Sequence, residues 1–236
     1  MQLKGRLGAI AEKIPACVTL ADVGTDHAYI PVYAVMKGIC EMALATDVRI
    51  GPVKIAESNI RRYSLEDKIK VRLGSGLEPL HFEEADVAVI AGMGGPLICE
   101  ILHTSIEKAR SMKSLILQPM NAIEVVRKWL NEQGFGIYEE VLVSEGEKIY
   151  NIICTGWTGS FSLRDSYEYF AGSELLYSGD PLLGKYLGRK LRQLDVIIEG
   201  RDKSNAGRDD ELADIIQIRN RLVMDLKRIE TAGGRL

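Results

Sequence analysis

The residues best suited to chemistry follow the first apolar strand of the sequence. That strand ends in Asp22-Val-Gly24, the polar turn Thr25-Asp26-His27 follows, and a helix is predicted to begin near Ala28. A strand that leads through a glycine turn into a helix exposes free backbone N–H groups at one point. This geometry suits a nucleotide-like ligand, although an ordinary strand-to-helix turn has the same pattern.

Only one glycine, Gly24, lies in this turn. The dinucleotide fingerprint needs three glycines, so that the backbone can approach a pyrophosphate. The sequence therefore favours a nucleoside ligand without phosphates, of which S-adenosylmethionine is the common example. Gly24 would let the chain turn, and Asp22 would face the charged methionine end of that ligand.

Two further polar turns follow the next two predicted strands. Asp47 ends the strand 41–47, where a carboxylate can accept hydrogen bonds from both ribose hydroxyls or can cap the following helix. Gly74-Ser75-Gly76 ends the alternating strand 68–74. Ser75 or a neighbouring N–H group could lie beside an adenine ring, and the same residues could form a plain turn.

A second glycine-rich loop, Gly92-Met93-Gly94-Gly95, follows the most apolar strand, 85–91. Three glycines in four positions are hard to explain by packing alone, and they would let a ligand or substrate approach the backbone closely. Since ligands bind at the carboxyl ends of parallel strands, this loop is predicted to lie beside the first turn. Gln118 ends the fifth strand, and its amide could bind a base edge.

The elements that must position these residues alternate in type along the chain. Apolar periodicity predicts helices over 3–14, 28–37, 51–63, 97–110 and 122–133, with a strand at 114–119 and a final hairpin of strands 137–144 and 148–155. The predicted fold is an α/β protein with a mostly parallel, Rossmann-like sheet and an antiparallel end. We expect this domain to span 1–160 and a linker to span 161–180.

The remaining segment, 181–236, is predicted to form a helical hairpin of the coiled-coil kind. Two apolar stripes repeat at helical spacing on either side of a polar stretch, 200–209, and Arg219 interrupts the second stripe. This segment contains 12 Lys and Arg against 9 Asp and Glu, whereas the whole chain has a net charge of −3. A solvated helical surface explains such a tail, and so does a mildly basic contact surface.

Composition excludes several classes of protein. The 236 residues are enough for one sizeable domain and a smaller one. No apolar run is long enough to span a membrane, and the four dispersed cysteines form neither a zinc motif nor a disulfide framework. We therefore expect a cytoplasmic protein without a metal and without a membrane partner. Its oligomeric state is not indicated, and a monomer is the default expectation.

Four motifs together resemble the TrmK family of bacterial tRNA adenine-N1 methyltransferases, which act at position 22 of tRNA. They are Ala21-Asp-Val-Gly-Thr-Asp-His-Ala-Tyr-Ile-Pro31, Ala91-Gly-Met-Gly-Gly95, Leu115-Ile-Leu-Gln-Pro119 and Gly146-Glu-Lys-Ile-Tyr150. The resemblance covers most of the chain. It implies a class I methyltransferase sheet, a C-terminal coiled-coil domain, S-adenosylmethionine as methyl donor and tRNA as partner.

The resemblance also implies roles for individual residues. Asp22 and Gly24 would lie at the methionine end of the cofactor, His27 in the turn that binds the cofactor, and Asp47 at its ribose. Other cofactor contacts and the methyl-transfer site would include Ser75, Gly76, Gly92 and Gly94, with Asp26, Tyr29 and Met93 as the catalytic candidates. Phosphates of the RNA would meet basic residues of the N-terminal helix, of the loop around Arg49 and of the tail.

Two positions depart from the family pattern. Ser75 stands where the family has an acid, and Met120 separates Gln118-Pro119 from Asn121. Other hypotheses from the residues alone are a methyltransferase for a small molecule, a non-catalytic nucleoside-binding module and a dinucleotide-dependent oxidoreductase. The single glycine of the first turn counts against the last of these.

Overall fold

The computed structural model describes residues 1–203 and 210–233. It divides the chain into two compact units, Met1–Ser162 and Leu163–Leu236. No helix within the described residues is long and apolar enough to cross a membrane.

The first unit alternates strands and helices, as the periodicity predicts. Its elements are α1 (Gly5–Glu12), β1 (Cys17–Val23), α2 (Tyr29–Met36), β2 (Cys40–Asp47), α3 (Ile50–Arg62), β3 (Ile69–Leu73), β4 (Val87–Met93), α4 (Gly95–Thr104), α5 (Ile106–Ser111), β5 (Ser114–Pro119), α6 (Ile123–Glu132), β6 (Phe135–Glu145) and β7 (Lys148–Trp157).

The seven strands form one sheet in the order β3-β2-β1-β4-β5-β7-β6. Strands β1 to β5 are parallel, whereas β7 pairs antiparallel with both β5 and β6. This confirms the predicted fold class. The order reverses between β1 and β4, so the carboxyl ends of these two strands form the crevice where open α/β sheets bind ligands.

Both faces of the sheet are covered by apolar side chains. Successive residues of a strand point to opposite faces, so a strand buried on both sides is apolar throughout. One core contains Leu20, Val89 and Ile116, and the other contains Ala21, Ile90 and Leu117. Three of the four free cysteines, Cys40, Cys99 and Cys154, are buried within these cores.

The helix predicted over 97–110 is instead two helices, α4 and α5. Ser105, between them, leaves the helical conformation at φ −121° and ψ 40°. No proline or glycine marks this break, so the sequence pattern could not show it.

Gly95 is the first residue of α4, and neighbouring backbone atoms leave no room for a side chain at this position. A Cβ atom there would lie 2.5 Å from the carbonyl oxygen of Ala122 and 2.8 Å from that of Asn121. We expect Gly95→Ala to lower the free energy of unfolding by about 1–3 kcal/mol, because the backbone has to shift. Gly51, in α3, has nothing near its Cβ position, so Gly51→Ala is the matched control and should raise stability by about 0.5–1 kcal/mol. Urea unfolding measures both, and equal effects would contradict the prediction.

A buried ion pair joins α6 to the final hairpin. Arg127 donates from Nη2 to Glu140 Oε1 at 2.6 Å and from Nε to Oε2 at 3.0 Å. The amide of Asn151 donates to the same Oε1 at 2.8 Å, and both charged side chains are fully buried. These residues lie on α6, β6 and β7, so the Glu140 carboxylate connects the helix to both antiparallel strands.

The second unit contains α7 (Ser166–Ala171), α8 (Ser173–Ser178), α9 (Leu183–Lys203) and α10 (Asp210–Gly233). Helices α7 and α8 occupy most of the stretch for which the sequence analysis predicts a linker. Asp165 precedes α7 and forms a capping box with Glu168. The Asp165 carboxylate accepts from the Glu168 N–H, and the Glu168 carboxylate accepts from the Asp165 N–H, both at 2.9 Å. The Asp-x-x-Glu spacing was the available signal for this helix.

Helices α9 and α10 pack against each other as an antiparallel pair. Asp195 pairs with Arg219 at 2.7 Å and Arg201 with Glu211 at 2.6 Å, so residues further along one helix meet residues earlier in the other. Arg219 therefore interrupts the apolar stripe to bind a carboxylate of the facing helix. Of the polar stretch 200–209 and the predicted C-terminal segment, residues 204–209 and 234–236 lie outside the described residues.

Candidate ligand-binding cleft

A cleft of about 560 Å³ opens at the carboxyl ends of β1, β2, β3 and β4. Of the predicted site residues, the structure brings together Asp22, Gly24, Asp26, His27, Tyr29, Asp47, Ser75, Gly76, Gly92 and Met93 around it. Gly94 is not among its lining residues. The walls also include Arg6, Leu7, Thr25, Val48, Arg49, Leu97 and Ile101, which the sequence analysis did not assign to the cofactor site.

Asp22 is a buried carboxylate that has no cationic partner among residues 1–203 and 210–233. It is 5% exposed, and its Oδ2 accepts a hydrogen bond from the Thr25 hydroxyl at 2.6 Å. Burial raises the pKa of Asp22 from 3.8 to about 6, against the opposing effect of the Thr25 bond, and the nearby Asp47 charge adds to the rise. An ionised Asp22 is therefore unfavourable until a positive group enters the cleft.

This raised pKa predicts an unusual pH dependence of stability. A group whose pKa rises on folding favours the folded state below its unfolded pKa and loses that effect as the pH passes its folded value. Relative to Asp22→Asn, we expect the wild-type unfolding free energy to fall by up to about 3 kcal/mol between about pH 4 and about pH 7.5. Urea unfolding of both proteins across this range measures it, and a constant difference would contradict the burial argument.

One buried residue, Thr46, joins three walls of the cleft. Its carbonyl accepts from Gly24 N at 2.8 Å and from Thr25 N at 2.9 Å, and its hydroxyl donates to the Gly76 carbonyl at 3.0 Å. The expectation of free N–H groups in the first turn is therefore wrong for Gly24 and Thr25. These two N–H groups connect the end of β1 to β2, so the side chains of the turn are the groups left to contact a ligand.

The turn after Gly24 has a constrained backbone. Asp26 and Ala28 adopt left-handed conformations, with φ of 51° and 54°, which cost of order 1–3 kcal/mol each and cluster at functional sites. The His27 carbonyl accepts from the Asn59 amide at 2.9 Å, so α3 holds the turn. The His27 and Tyr29 rings stack with centroids 5.1 Å apart and form a flat surface beside the cleft.

Asp47 is the second buried carboxylate of the cleft, at 6% exposure. Its Oδ1 accepts from the Arg49 N–H at 3.0 Å and lies 3.7 Å from the Arg49 Nε. Within the described residues both contacts use Oδ1, so Oδ2 remains an acceptor for a ligand hydroxyl. Asp47 thus fits the predicted ribose contact, and the Arg49 N–H contact also holds the entry to α3.

The two glycine loops meet across the cleft floor, at β1 and β4. Gly24 has φ +70°, and a Cβ there would lie 2.2 Å from the Met93 Cε, so the Met93 side chain lies over the first turn. Gly94 and Gly95 face away from the cleft toward Asn121, whose Oδ1 accepts from Gly95 N at 3.2 Å. The backbone oxygens of Asn121 and Ala122 explain the glycine at position 95, whereas at position 94 only the Asn121 side chain lies near, with its Oδ1 3.1 Å from the Cβ position.

Arg6 is a cleft residue that helix periodicity could not identify. Its guanidinium donates to Gln118 Oε1 and lies over the Tyr150 ring, 5.4 Å from the centroid. The same Gln118 oxygen accepts from Gly92 N at 3.2 Å, while its Nε2 donates to the Pro119 carbonyl at 2.9 Å. Gln118 is fully buried, so its amide positions these groups, and the hypothesis that it binds a base edge is not supported.

Comparison with known proteins agrees with this geometry. The family model of a methyltransferase domain matches residues 3–153. The tRNA (adenine(22)-N(1))-methyltransferase of Bacillus subtilis is 38% identical over 153 residues, which are 65% of this chain and 64% of that enzyme. This sequence match thus spans less than two thirds of the relative's own length.

Solved structures extend the similarity over nearly the whole chain. The crystal structure of B. subtilis TrmK aligns with a TM-score of 0.82 and 30% identity, and the alignment covers 97% of this chain and 98% of TrmK. A Streptococcus pneumoniae protein in complex with S-adenosyl-L-methionine aligns with a TM-score of 0.80 and 31% identity, over 93% and 100% of the two chains.

The sheet order, the cleft at its switch point and the matched residues define the class: the chain belongs to the methyltransferase domain family. Within that class it belongs to the TrmK family, as the identity and the coverage of the B. subtilis structure show. The predicted family is thereby confirmed.

Proposed function

We propose that this protein transfers a methyl group from S-adenosylmethionine to N1 of the adenine at position 22 of tRNA. The observation that carries the proposal is the cleft between β1 and β4, where the buried Asp22 has no cation beside it in the part of the chain that the structure describes, and where Asp47 Oδ2 can accept a hydrogen bond. The names of the B. subtilis relative and of the S. pneumoniae complex support the substrate and the donor.

The residues of the cleft fit each part of this donor. The Asp22 carboxylate accepts the α-ammonium group, which supplies the missing positive charge. Asp47 Oδ2 accepts from the ribose hydroxyls, and the loop Gly74-Ser75-Gly76 lies beside the adenine. When bound, S-adenosylmethionine supplies a methyl group on a positively charged sulfur.

The mouth of the cleft supplies the groups for the acceptor base. Adenine N1 has a lone pair and no proton, so the reaction needs no base before attack, and holding the reacting atoms in line is the main task. The methylated ring is cationic, and in this proposal the exposed Asp26 carboxylate stabilises that charge. The stacked rings of His27 and Tyr29, with Met93, provide the surface on which the target base packs.

The target edge of adenine is not free in a folded tRNA. The enzyme therefore has to draw the base out of its stack and bind it in a pocket. Basic residues of α1, of the Arg49 loop and of the C-terminal helices contact the phosphates in this proposal. A tRNA substrate supports a cytoplasmic location for the protein in this proposal.

A methyl-transfer assay tests the proposal. Unmodified tRNA with adenine at position 22, the same tRNA with guanine there, and labelled donor are incubated with the protein, and the nucleosides are identified by mass spectrometry. We expect N1-methyladenosine only in the first tRNA, little product with Asp22→Asn, and full product with Asp67→Asn, which alters an exposed side chain. Donor binding without incorporation into either tRNA would overturn the tRNA substrate, and a small-molecule acceptor would replace it.

A further inference from the structure

Two free thiols lie side by side at the amino-terminal ends of the strands, away from the cleft. Cys17 begins β1 and Cys40 begins β2, and the parallel register of these strands pairs the two residues directly. The Cys17 N–H donates to the Ile39 carbonyl at 3.0 Å, so the backbone holds this pairing. Both side chains pack against the same core, on one face of the sheet. The two sulfur atoms are therefore neighbours.

The two thiols differ in exposure and in acidity. Cys17 is partly exposed, whereas Cys40 is buried. The Cys40 thiol donates a hydrogen bond to the Cys17 sulfur, which lowers the pKa of Cys17 and raises that of Cys40. Burial and the Asp86 charge oppose the lowering of the Cys17 pKa, and the Lys113 ammonium adds to it. A partly exposed thiol of lowered pKa is the type that reacts with oxidants, so Cys17 is the nucleophile of the pair.

The other two cysteines are isolated from this pair and from each other. Cys99 lies on α4 in the core on the opposite face of the sheet, and Cys154 lies on β7, the third strand from β1. Burial raises the pKa of Cys99 to about 11 and that of Cys154 to about 12. Both are therefore poor nucleophiles, and they serve as internal controls for Cys17.

We propose that Cys17 and Cys40 form a redox modification site that a hydroperoxide converts into a disulfide, an inference that goes beyond the proposed function and does not depend on it. The Cys17 thiolate attacks the peroxide, so that an S–O bond forms, the O–O bond breaks and hydroxide leaves. The Cys40 sulfur then attacks the Cys17 sulfur, the S–O bond breaks, and the departing hydroxide takes the Cys40 proton. With hydrogen peroxide, the two thiols are oxidised by two electrons and the peroxide is reduced to two molecules of water.

The sheet geometry makes this disulfide accessible and also reversible. Neighbouring strands are about 4.8 Å apart, which is within the Cα spacing of about 4.4–6.8 Å that a disulfide spans. Parallel pairing keeps the Cβ atoms at a similar spacing, longer than the preferred distance of about 3.8 Å. The bond is therefore strained, and strained disulfides are readily reduced. Cys40 also intercepts the sulfenic acid of Cys17 before it passes to the irreversible sulfinic acid.

Peroxide treatment of the full, reduced chain tests the proposal. Trypsin cuts after Lys13, Lys37 and Arg49, so Cys17 and Cys40 fall in separate peptides, 14–37 and 38–49. After treatment with hydrogen peroxide, we expect the intact mass to fall by two hydrogen atoms and these two peptides to be linked. Dithiothreitol should restore both thiols, and Cys99 and Cys154 should remain available to an alkylating agent once the chain is unfolded.

Three serine variants separate the roles of the thiols. Cys40→Ser keeps a hydroxyl donor beside Cys17 and removes the second sulfur, so Cys17 should accumulate sulfinic acid that dithiothreitol does not reverse. In Cys17→Ser, Cys40 should stay a thiol over the same exposure to peroxide. Cys154→Ser is the matched control, because it removes a buried cysteine of the same core, and it should form the 14–37 to 38–49 link as the wild type does. Thermal unfolding shows that each variant is folded.

Three results would overturn the proposal. The first is a folded wild type in which the link does not form, or forms equally with Cys99 or Cys154, as in chains oxidised in urea. The second is sulfinic acid at Cys17 that forms as fast in the wild type as in Cys40→Ser. The third is a link between chains, seen as a dimer on a non-reducing gel, in place of the link within one chain.

Discussion

Replacing Asp22 by Asn is expected to weaken binding of S-adenosylmethionine by about 30- to 1000-fold while making the unliganded protein more stable at neutral pH. The change removes the buried negative charge that the ammonium group would contact, so the loss appears in affinity and in kcat/KM. Asparagine still accepts the Thr25 hydrogen bond and carries no charge to bury. The raised pKa of Asp22, about 6, implies that its ionised form destabilises the empty fold.

Asp86 provides the matched control for this prediction. Its Oδ2 accepts from the N–H groups of Val18 and Thr19, and its Oδ1 pairs with Lys113 at 2.7 Å, at the opposite end of β1. These contacts lower the pKa of Asp86. Asp86→Asn should therefore lose stability and keep its affinity for the cofactor. If Asp22→Asn lost stability and affinity together, its effect would be a consequence of damage to the fold.

Glu140→Ala is expected to lower the free energy of unfolding by about 3–5 kcal/mol. The substitution leaves the Arg127 guanidinium buried without its carboxylate, because Glu140 holds two of its nitrogen atoms, Nη2 and Nε. It also leaves the Asn151 amide without that acceptor. Urea unfolding at neutral pH measures the loss, with the slope of the transition as a check that the unfolded state is unchanged.

An exposed ion pair on α6, the helix that contains Arg127, is the control for Glu140→Ala. Lys128 and Glu132 are 3.9 Å apart and about half exposed, and Glu132→Ala should change stability by no more than about 0.5 kcal/mol. A double substitution of Arg127 and Glu140 by Met and Leu should recover much of the loss, since neither charge then remains buried. A loss under about 1 kcal/mol in Glu140→Ala would contradict the argument from burial.

Local periodicity predicted the sheet and most of its helices, because each strand that is buried on both faces is a short apolar run. It also indicated the turns at Asp22, Asp47 and Gly76, since these follow the strands directly and a parallel sheet brings its carboxyl ends together. The break at Ser105 and the helices α7 and α8 were missed. The break at Ser105 contains no proline or glycine, and helix α7 begins with a capping box in a stretch otherwise rich in turn residues.

Contacts between distant parts of the chain could not be predicted from the local sequence pattern. Arg6 belongs to the cleft through Gln118, 112 residues away. Arg127, on α6, is buried against Glu140, 13 residues further along the chain. Gly95 needs to be a glycine because of the backbone of Asn121 and Ala122, which belong to a separate loop.

The hydrogen bonds of Thr46 have a consequence for motion. Because one residue accepts from the Gly24 and Thr25 amides and donates to the Gly76 carbonyl, we expect the three walls of the cleft to open as one cooperative unit. The Gly24 and Thr25 amide protons should then exchange with deuterium at a common rate. A ligand that contacts only Asp47, the proposed ribose contact, should slow that exchange as much as a ligand that contacts the turn after β1.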